Sequence, residues 1–142
     1  MKKPLFTGVC TALVTPFLGN VVNYPLLELL LGRQIAAGIE AVVLCGTTGE
    51  SPTLSDCEKL EIFRRCARYA GGRCKIIAGT GSNDTQHAVA LSAAAEAAGA
   101  DAAEAAGTAE RLCSTNEAPP TVMQATAVTV SRRRTAGRRW RR

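Results

Sequence analysis

The run Glu40-Ala41-Val42-Val43-Leu44-Cys45 passes without a break into Gly46-Thr47-Thr48-Gly49-Glu50-Ser51-Pro52-Thr53-Leu54-Ser55. The first six residues form a continuous apolar run, the pattern of a strand buried on both faces. Residues 46–53, with two glycines and a proline, read as a loop. Ser55 followed by Glu58 is a capping box and predicts a helix from there to about Tyr69, closed by Gly71-Gly72. Strand, glycine loop and capped helix make one βα unit, and the same unit recurs on both sides. Upstream, residues 8–14 are a short β-prone run ended by Thr15-Pro16. Residues 25–37 then follow with helical spacing, Asn23 as their cap and Gly38 as their stop. Downstream, residues 75–78 predict a third strand, residues 79–83 a second glycine loop, and residues 84–98 an Ala-rich helix ending at Gly99.

The order β-α-β-α-β-α with short connections demands a parallel sheet, because each helix returns the chain to the same edge. A doubly wound sheet and a (β/α)8 barrel both satisfy it, and periodicity does not separate them. In either, ligands sit at the carboxyl ends of the strands, so the two glycine loops are where chemistry is expected. Gly46-Thr47-Thr48-Gly49-Glu50-Ser51 is the sharper of the two. Its backbone N–H groups and hydroxyls suit a small carboxylate; a turn capped by Ser and Thr is the plainer reading. It is not a P-loop, since no Gly-Lys-Ser/Thr follows. Gly79-Thr80-Gly81-Ser82-Asn83 reads more as a turn than as a site.

Composition bounds the rest. The chain has 142 residues, 46% of them hydrophobic, which suits one domain rather than wholesale disorder. No apolar run is long enough for a membrane span, and none follows Lys2-Lys3 as a signal peptide requires. The net charge of +5 hints at nucleic acid until it is resolved along the chain. Residues 1–100 hold nine basic and eight acidic side chains, whereas residues 101–142 hold eight arginines and four acids. A composition boundary therefore falls near residues 99–102. Cys10, Cys45, Cys57, Cys66, Cys74 and Cys113 form no CxxC pair, and His87 is the one imidazole. Neither a zinc site nor a disulfide framework fits, and the thiols read as reduced cytosolic thiols, most of them core residues.

The decapeptide from Gly46 to Ser55 resembles the signature of the dihydrodipicolinate synthase family, in the Schiff-base pyruvate aldolase/lyase superfamily. Three further segments agree in order and spacing: Thr11-Ala12-Leu13-Val14-Thr15-Pro16-Phe17, Ile76-Ile77-Ala78-Gly79-Thr80-Gly81-Ser82-Asn83-Asp84-Thr85, and Ala98-Gly99-Ala100-Asp101-Ala102. The paired threonines favour the synthase over sialic-acid lyase relatives. The resemblance implies the first three βα units of a (β/α)8 TIM barrel over residues 5–102, in a family that is cytoplasmic, homotetrameric and free of cofactors. It also implies an activity: pyruvate, held as an imine on a strand lysine, condenses with aspartate semialdehyde in lysine and diaminopimelate biosynthesis. By the same resemblance Thr47 is the proton-relay threonine, and Thr48, between Gly46 and Gly49, binds the pyruvate carboxylate. Ser51 and Asn83 match the pocket that takes lysine in feedback-inhibited members, whereas Asp56, Lys59 and His87 depart from it.

Other departures follow residue 102. No Pro-Tyr-Tyr segment occurs, the tyrosines are Tyr24 and Tyr69, and the lysines are Lys2, Lys3, Lys59 and Lys75. Lys59 is expected on an exposed helix, Lys75 at the end of the strands away from the site, and His87 in solvent. Neither Lys59 nor Lys75 matches the imine lysine, so the chain as given is expected to be inactive. Residues 103–142 read as a basic, low-complexity tail, such as an out-of-frame reading of GC-rich DNA produces. Open edges and an unfilled inner sheet face then predict a poorly soluble or molten product. Three alternatives remain: a nucleic-acid-binding arm in Arg132-Arg133-Arg134 and Arg138-Arg139-Trp140-Arg141-Arg142, a fragment that co-assembles with a longer paralogue, and a pyruvate-dependent relative with another substrate.

Overall fold

The structure is a computed structural model that describes residues 5–104. Four strands, β1 (Cys10–Ala12), β4 (Ala41–Leu44), β5 (Lys75–Gly79) and β6 (Ala102–Glu104), form one sheet in the order β1-β4-β5-β6, all parallel. Between β1 and β4 lie a two-stranded hairpin, β2 (Phe17–Leu18) and β3 (Val21–Val22), and the helix α1 (Tyr24–Ala36). Helix α2 (Asp56–Ala70) joins β4 to β5, and α3 (Thr85–Ala97) joins β5 to β6. Strand order follows chain order with no reversal. A doubly wound sheet would reverse at its switch point; a barrel does not. Successive right-handed crossovers then lay the helices on one face, and α2 packs against both α1 and α3. The ambiguity that periodicity left is resolved in favour of the barrel.

Local chemistry explains the helix starts. Asn23 Oδ1 accepts from the Leu26 N–H at 3.1 Å, with Pro25 in the first turn. The Ser55–Glu58 capping box closes in both directions, Glu58 N–H to Ser55 Oγ at 3.3 Å and Ser55 N–H to Glu58 Oε2 at 2.9 Å. Gly71 ends α2 in the left-handed region, at φ 54°. The expected first strand over residues 8–14 contracts to Cys10–Ala12, although the Leu13 N–H still reaches the Val43 carbonyl at 2.9 Å. Pro16 then offers no donor, and Gly19 at φ 62° turns the chain into the hairpin, which sequence reading did not anticipate.

Alternation along the strands splits the sheet into two apolar layers. Val42, Leu44, Ile76 and Ala78 pack with Leu27, Leu31, Ile62, Phe63 and Cys66 between sheet and helices. Full burial of each large side chain contributes about 1.5–3 kcal/mol. Ala41, Ile77 and Ala102 face the other way and are met by Leu5, Phe6, Cys10 and Val43. The inner face, expected to be unfilled, thus carries a small cluster built from the segment that precedes β1. Residues 103 and 104, which sequence reading placed at the start of the basic tail, belong instead to β6, where they pair with Ala78 and Gly79; the rest of that tail, from residue 105 onward with its arginine clusters, lies outside the described residues.

Candidate functional site

An open cleft of about 490 Å³ lies where β4 and β5 end, the position the parallel order dictates. Gly46 and Thr47 border it from the first glycine loop, and Gly79, Gly81, Ser82 and Asn83 from the second. Both loops therefore contribute, including the one read from sequence as a turn. Thr48 lies outside the lining, exposed beside Thr47, while Gly49 is buried beneath them.

The Gly46–Ser51 turn is tied internally. The N–H groups of Gly49 and Ser51 both donate to the Gly46 carbonyl, at 3.0 and 3.3 Å, and that of Glu50 donates to the Thr47 carbonyl at 3.1 Å. The donors expected to form an anion nest are narrowed accordingly. Among the described residues, no internal bond engages the N–H or the hydroxyl of Thr47 or of Thr48. These two residues retain the unused donors.

Three features hold the turn at this height. Cys45 and Glu50, on either side of it, sit at φ 53° and 56°, a left-handed conformation costly for side chains with a Cβ. Glu50 leads into a single 3₁₀ turn, Ser51–Thr53, before the Ser55 cap. The buried Thr15 hydroxyl donates to the Gly49 carbonyl at 2.8 Å, across 34 positions of sequence. Finally, a Cβ on Gly79 would stand 2.4 Å from the Cys45 carbonyl oxygen and 2.7 Å from the Gly46 nitrogen. Only a glycine lets the two strand ends approach this closely. Thr15 and Gly79 were not singled out from sequence for these tasks. Thr15 sits in the quoted Thr11–Phe17 segment, but no local spacing announces a bond to a residue so distant. Thr15→Val should leave the buried Gly49 carbonyl unpaired, lowering stability by about 1–3 kcal/mol in thermal or denaturant unfolding.

One expectation on α2 is corrected, and one on α3 gains detail. Lys59 is not on an exposed face: it is 7% exposed and borders the cleft. It shares the inward stripe of α2 with Ile62, Phe63, Cys66 and Ala70, the i, i+3, i+4, i+7 spacing of a buried face. That spacing was readable in the sequence. His87 is on α3 with 40% of its side chain exposed, as expected of a solvated helix residue, but it has partners. Its Nε2 meets Asp56 Oδ2 at 2.6 Å, its Nδ1 meets Ser82 Oγ at 3.1 Å, and it borders the cleft. Asp56 is thereby fastened to the first turn of α3. Ser51, Asn83, Lys59 and His87 thus border the same cleft as Gly46 and Thr47. Lys75 pairs with Asp101 at 2.7 Å at the opposite, amino-terminal end of β5, as expected.

Among the described cysteines, Cys45, Cys66 and Cys74 are buried, Cys10 is half-buried and Cys57 is exposed. Burial pushes Cys45 and Cys66 up to about 12, and raises Cys10 and Cys74 as well. The Lys59 charge opposes the shift at Cys45 without cancelling it. Thiolate is the reactive form, so at pH 8 a water-soluble disulfide reagent should label the exposed Cys57 well before Cys45 or Cys66 among the described cysteines. Peptide mapping of the native and the unfolded chain checks this. Among the described residues no cluster of His, Cys, Asp and Glu could hold a metal ion, and no helix is long and apolar enough to cross a membrane.

Fold and cleft define a parallel α/β chain of barrel order whose threonine loop borders an open cleft at the strand ends. The profile of the dihydrodipicolinate synthetase family matches residues 5–106, and the chain belongs to that family. A 4-hydroxy-tetrahydrodipicolinate synthase of Acetivibrio thermocellus is 49% identical over 102 residues, covering 72% of this chain and 35% of the relative. The dihydrodipicolinate synthase of Aquifex aeolicus superposes with a TM-score of 0.68 at 44% identity, over 70% of this chain and 34% of that one. The chloride-inhibited dihydrodipicolinate synthase of Acinetobacter baumannii, solved with pyruvate, gives 0.67 at 42%, over 69% and 34%. The chain spans about one third of the length of the curated relatives it matches.

Proposed function

We propose that residues 5–104 carry the pyruvate-carboxylate part of a 4-hydroxy-tetrahydrodipicolinate synthase site. In this reading Thr48 and the free N–H groups of the turn hold the carboxylate, with Gly46 and Gly49 giving the turn its shape. Thr47, whose hydroxyl can accept as well as donate, passes a proton at the reacting carbon. The observation that carries the reading is that the donors of Thr47 on the cleft, and of Thr48 exposed just outside its lining, enter no hydrogen bond within the turn, while the N–H groups of Gly49, Glu50 and Ser51 are bonded back into it. The relative from Acinetobacter baumannii, solved with pyruvate, supports the choice of ligand.

The full condensation with aspartate semialdehyde is assigned to the complete site of the family, and the 142-residue chain alone is expected not to perform it. An imine needs a lysine amine beside the ketone. The resemblance puts that lysine on a strand, and no lysine of this sequence stands on a matching one. A cytoplasmic setting and assembly into a homotetramer are carried over from the family on the same terms.

Titration of the ¹⁵N-labelled chain with pyruvate tests the carboxylate reading. Saturable shifts of the Thr47 and Thr48 amides are expected, weakened about tenfold in Thr48→Val, which corresponds to the ~1.4 kcal/mol of one hydrogen bond to a charged group. Equal affinity in that variant would remove Thr48 from the site.

A further inference from the structure

We propose that Glu104, at the end of β6, is a specificity-determining residue: its carboxylate opposes an anion at the threonine turn and so limits the affinity for pyruvate. Glu104 borders the same cleft as Gly46 and Thr47. It stands in register with Gly79, and its carbonyl accepts from the Thr80 N–H at 2.9 Å. Its backbone is thereby fixed at the level of the strand ends. Alternation along the strand then decides where the side chain goes. Ala102 belongs to the inner apolar cluster, so Glu104, two residues on, projects from that same face. Its register partner Gly79 has no side chain to cover it. The raised Cys10 thiol agrees with this placement. After burial and Cys74, the Glu104 carboxylate is the next cause of that shift, although Cys10 lies on β1, at the other edge of the sheet.

Among the described residues the Glu104 carboxylate enters no ion pair, and the hydrogen bonds of this residue run to its carbonyl. Neighbouring strands lie about 4.8 Å apart, and β5 separates β6 from β4. The Glu104 backbone is therefore about 10 Å from the end of β4, where the threonine turn begins. Over such a distance two negative charges repel one another at low ionic strength and barely do so in strong salt. The screening length falls from about 30 Å at 0.01 M to about 3 Å at 1 M. Lys59 also borders the cleft, but exchanging Glu104 alone holds its contribution constant. The inference rests on the carboxylate reading of Thr47 and Thr48.

The test titrates the full ¹⁵N-labelled chain and its Glu104→Gln variant with pyruvate, at about 0.01 M and at about 1 M salt. Glutamine nearly matches glutamate in shape and leaves the backbone bond to Thr80 in place, so the exchange removes the charge alone. At low salt the variant should bind pyruvate about threefold more tightly than the parent, read at the Thr47 and Thr48 amides. At 1 M the two should bind alike, whereas a change of shape would persist in salt. Glu96→Gln, which removes an exposed carboxylate on α3 outside the cleft, should keep the affinity of the parent. The inference is overturned if Glu104→Gln gains nothing at low salt, if its gain survives 1 M salt, or if Glu96→Gln gains as much. Pyruvate shifts in neither chain would overturn the carboxylate reading and this inference together; equal affinity in both would overturn this inference alone.

Discussion

Incubated with pyruvate and reduced with borohydride, the 142-residue chain should show no gain in mass, whereas an imine-forming lysine would be converted quantitatively to a stable secondary amine. The result is close to all or none, which makes it the most decisive measurement on the proposed function. It is not trivial, because Lys59 borders the same cleft as Thr47. Lys59 rises from the first turn of α2, outside the sheet, whereas the family resemblance sets the imine lysine on a strand, facing the barrel axis. Lys75 does stand on a strand, but at its amino-terminal end, where Asp101 binds it at 2.7 Å. Lys2 and Lys3 lie outside the described residues. A trapped adduct mapped by peptide mass to Lys59 would overturn the assignment and would make Lys59 a nucleophile. Mass measurement of the intact chain and of its peptides reads both outcomes.

Gly79→Ala should be the most damaging single substitution near the site. The added methyl would lie 2.4 Å from the Cys45 carbonyl oxygen, 2.6 Å from its carbon and 2.7 Å from the Gly46 nitrogen. All three are backbone atoms, so no side chain can rotate away to make room. Either β5 separates from β4 or the Gly46–Ser51 turn moves. Overpacking of this kind costs about 1–3 kcal/mol, occasionally more, and this contact belongs at the upper end. Pyruvate binding should fall with it, because the turn that holds the threonines is the part displaced. Gly38→Ala serves as the contrast: there a Cβ meets nothing within 4 Å, and the φ of 78° supplies conformational strain alone. The two variants, compared by denaturant unfolding and by pyruvate titration, separate lost stability from a displaced loop. Equal pyruvate affinity in Gly79→Ala would mean that the turn does not depend on the close approach of the two strand ends.

Much of the fold was legible because its signals are local. The Asn23 and Ser55 caps, the glycines after each helix and the continuous apolar strands depend on residues within one turn of each other. The boundaries of these elements came out within a residue or two, apart from the contracted first strand; β6 was missed, because its residues 103 and 104 read as part of the tail. The hairpin Phe17–Val22 escaped notice because two-residue strands carry no period; only Gly19-Asn20 marks it. The choice between doubly wound sheet and barrel was not legible from periodicity, since it depends on which edge of the sheet each new strand joins. In the candidate site, the threonine loop stood out through its glycines and its family likeness. Its supports did not, because the bonds from Thr15 and the close approach of Gly79 span more than thirty positions. Lys59 was misplaced, and the partners of His87 were missed, for different reasons. The position of Lys59 on the buried stripe of α2 could have been read from spacing, whereas the pairing of His87 with Asp56 depends on how two helices meet.

The monotonic order of the sheet also bears on how the chain acquires its shape. Cys10 pairs with Ala41, 31 positions on; Ala41 pairs with Lys75, 34 on; Ile77 pairs with Ala102, 25 on. No strand waits for a partner much farther away than the last one did. Closure entropy changes by only ~0.6 kcal/mol for each doubling of loop length, so every addition faces nearly the same entropic barrier. A sheet with this wiring can be laid down in the order of translation, each strand docking on its predecessor as it leaves the ribosome. The threonine turn would then take its final form only when β5 arrives with Gly79 to support it.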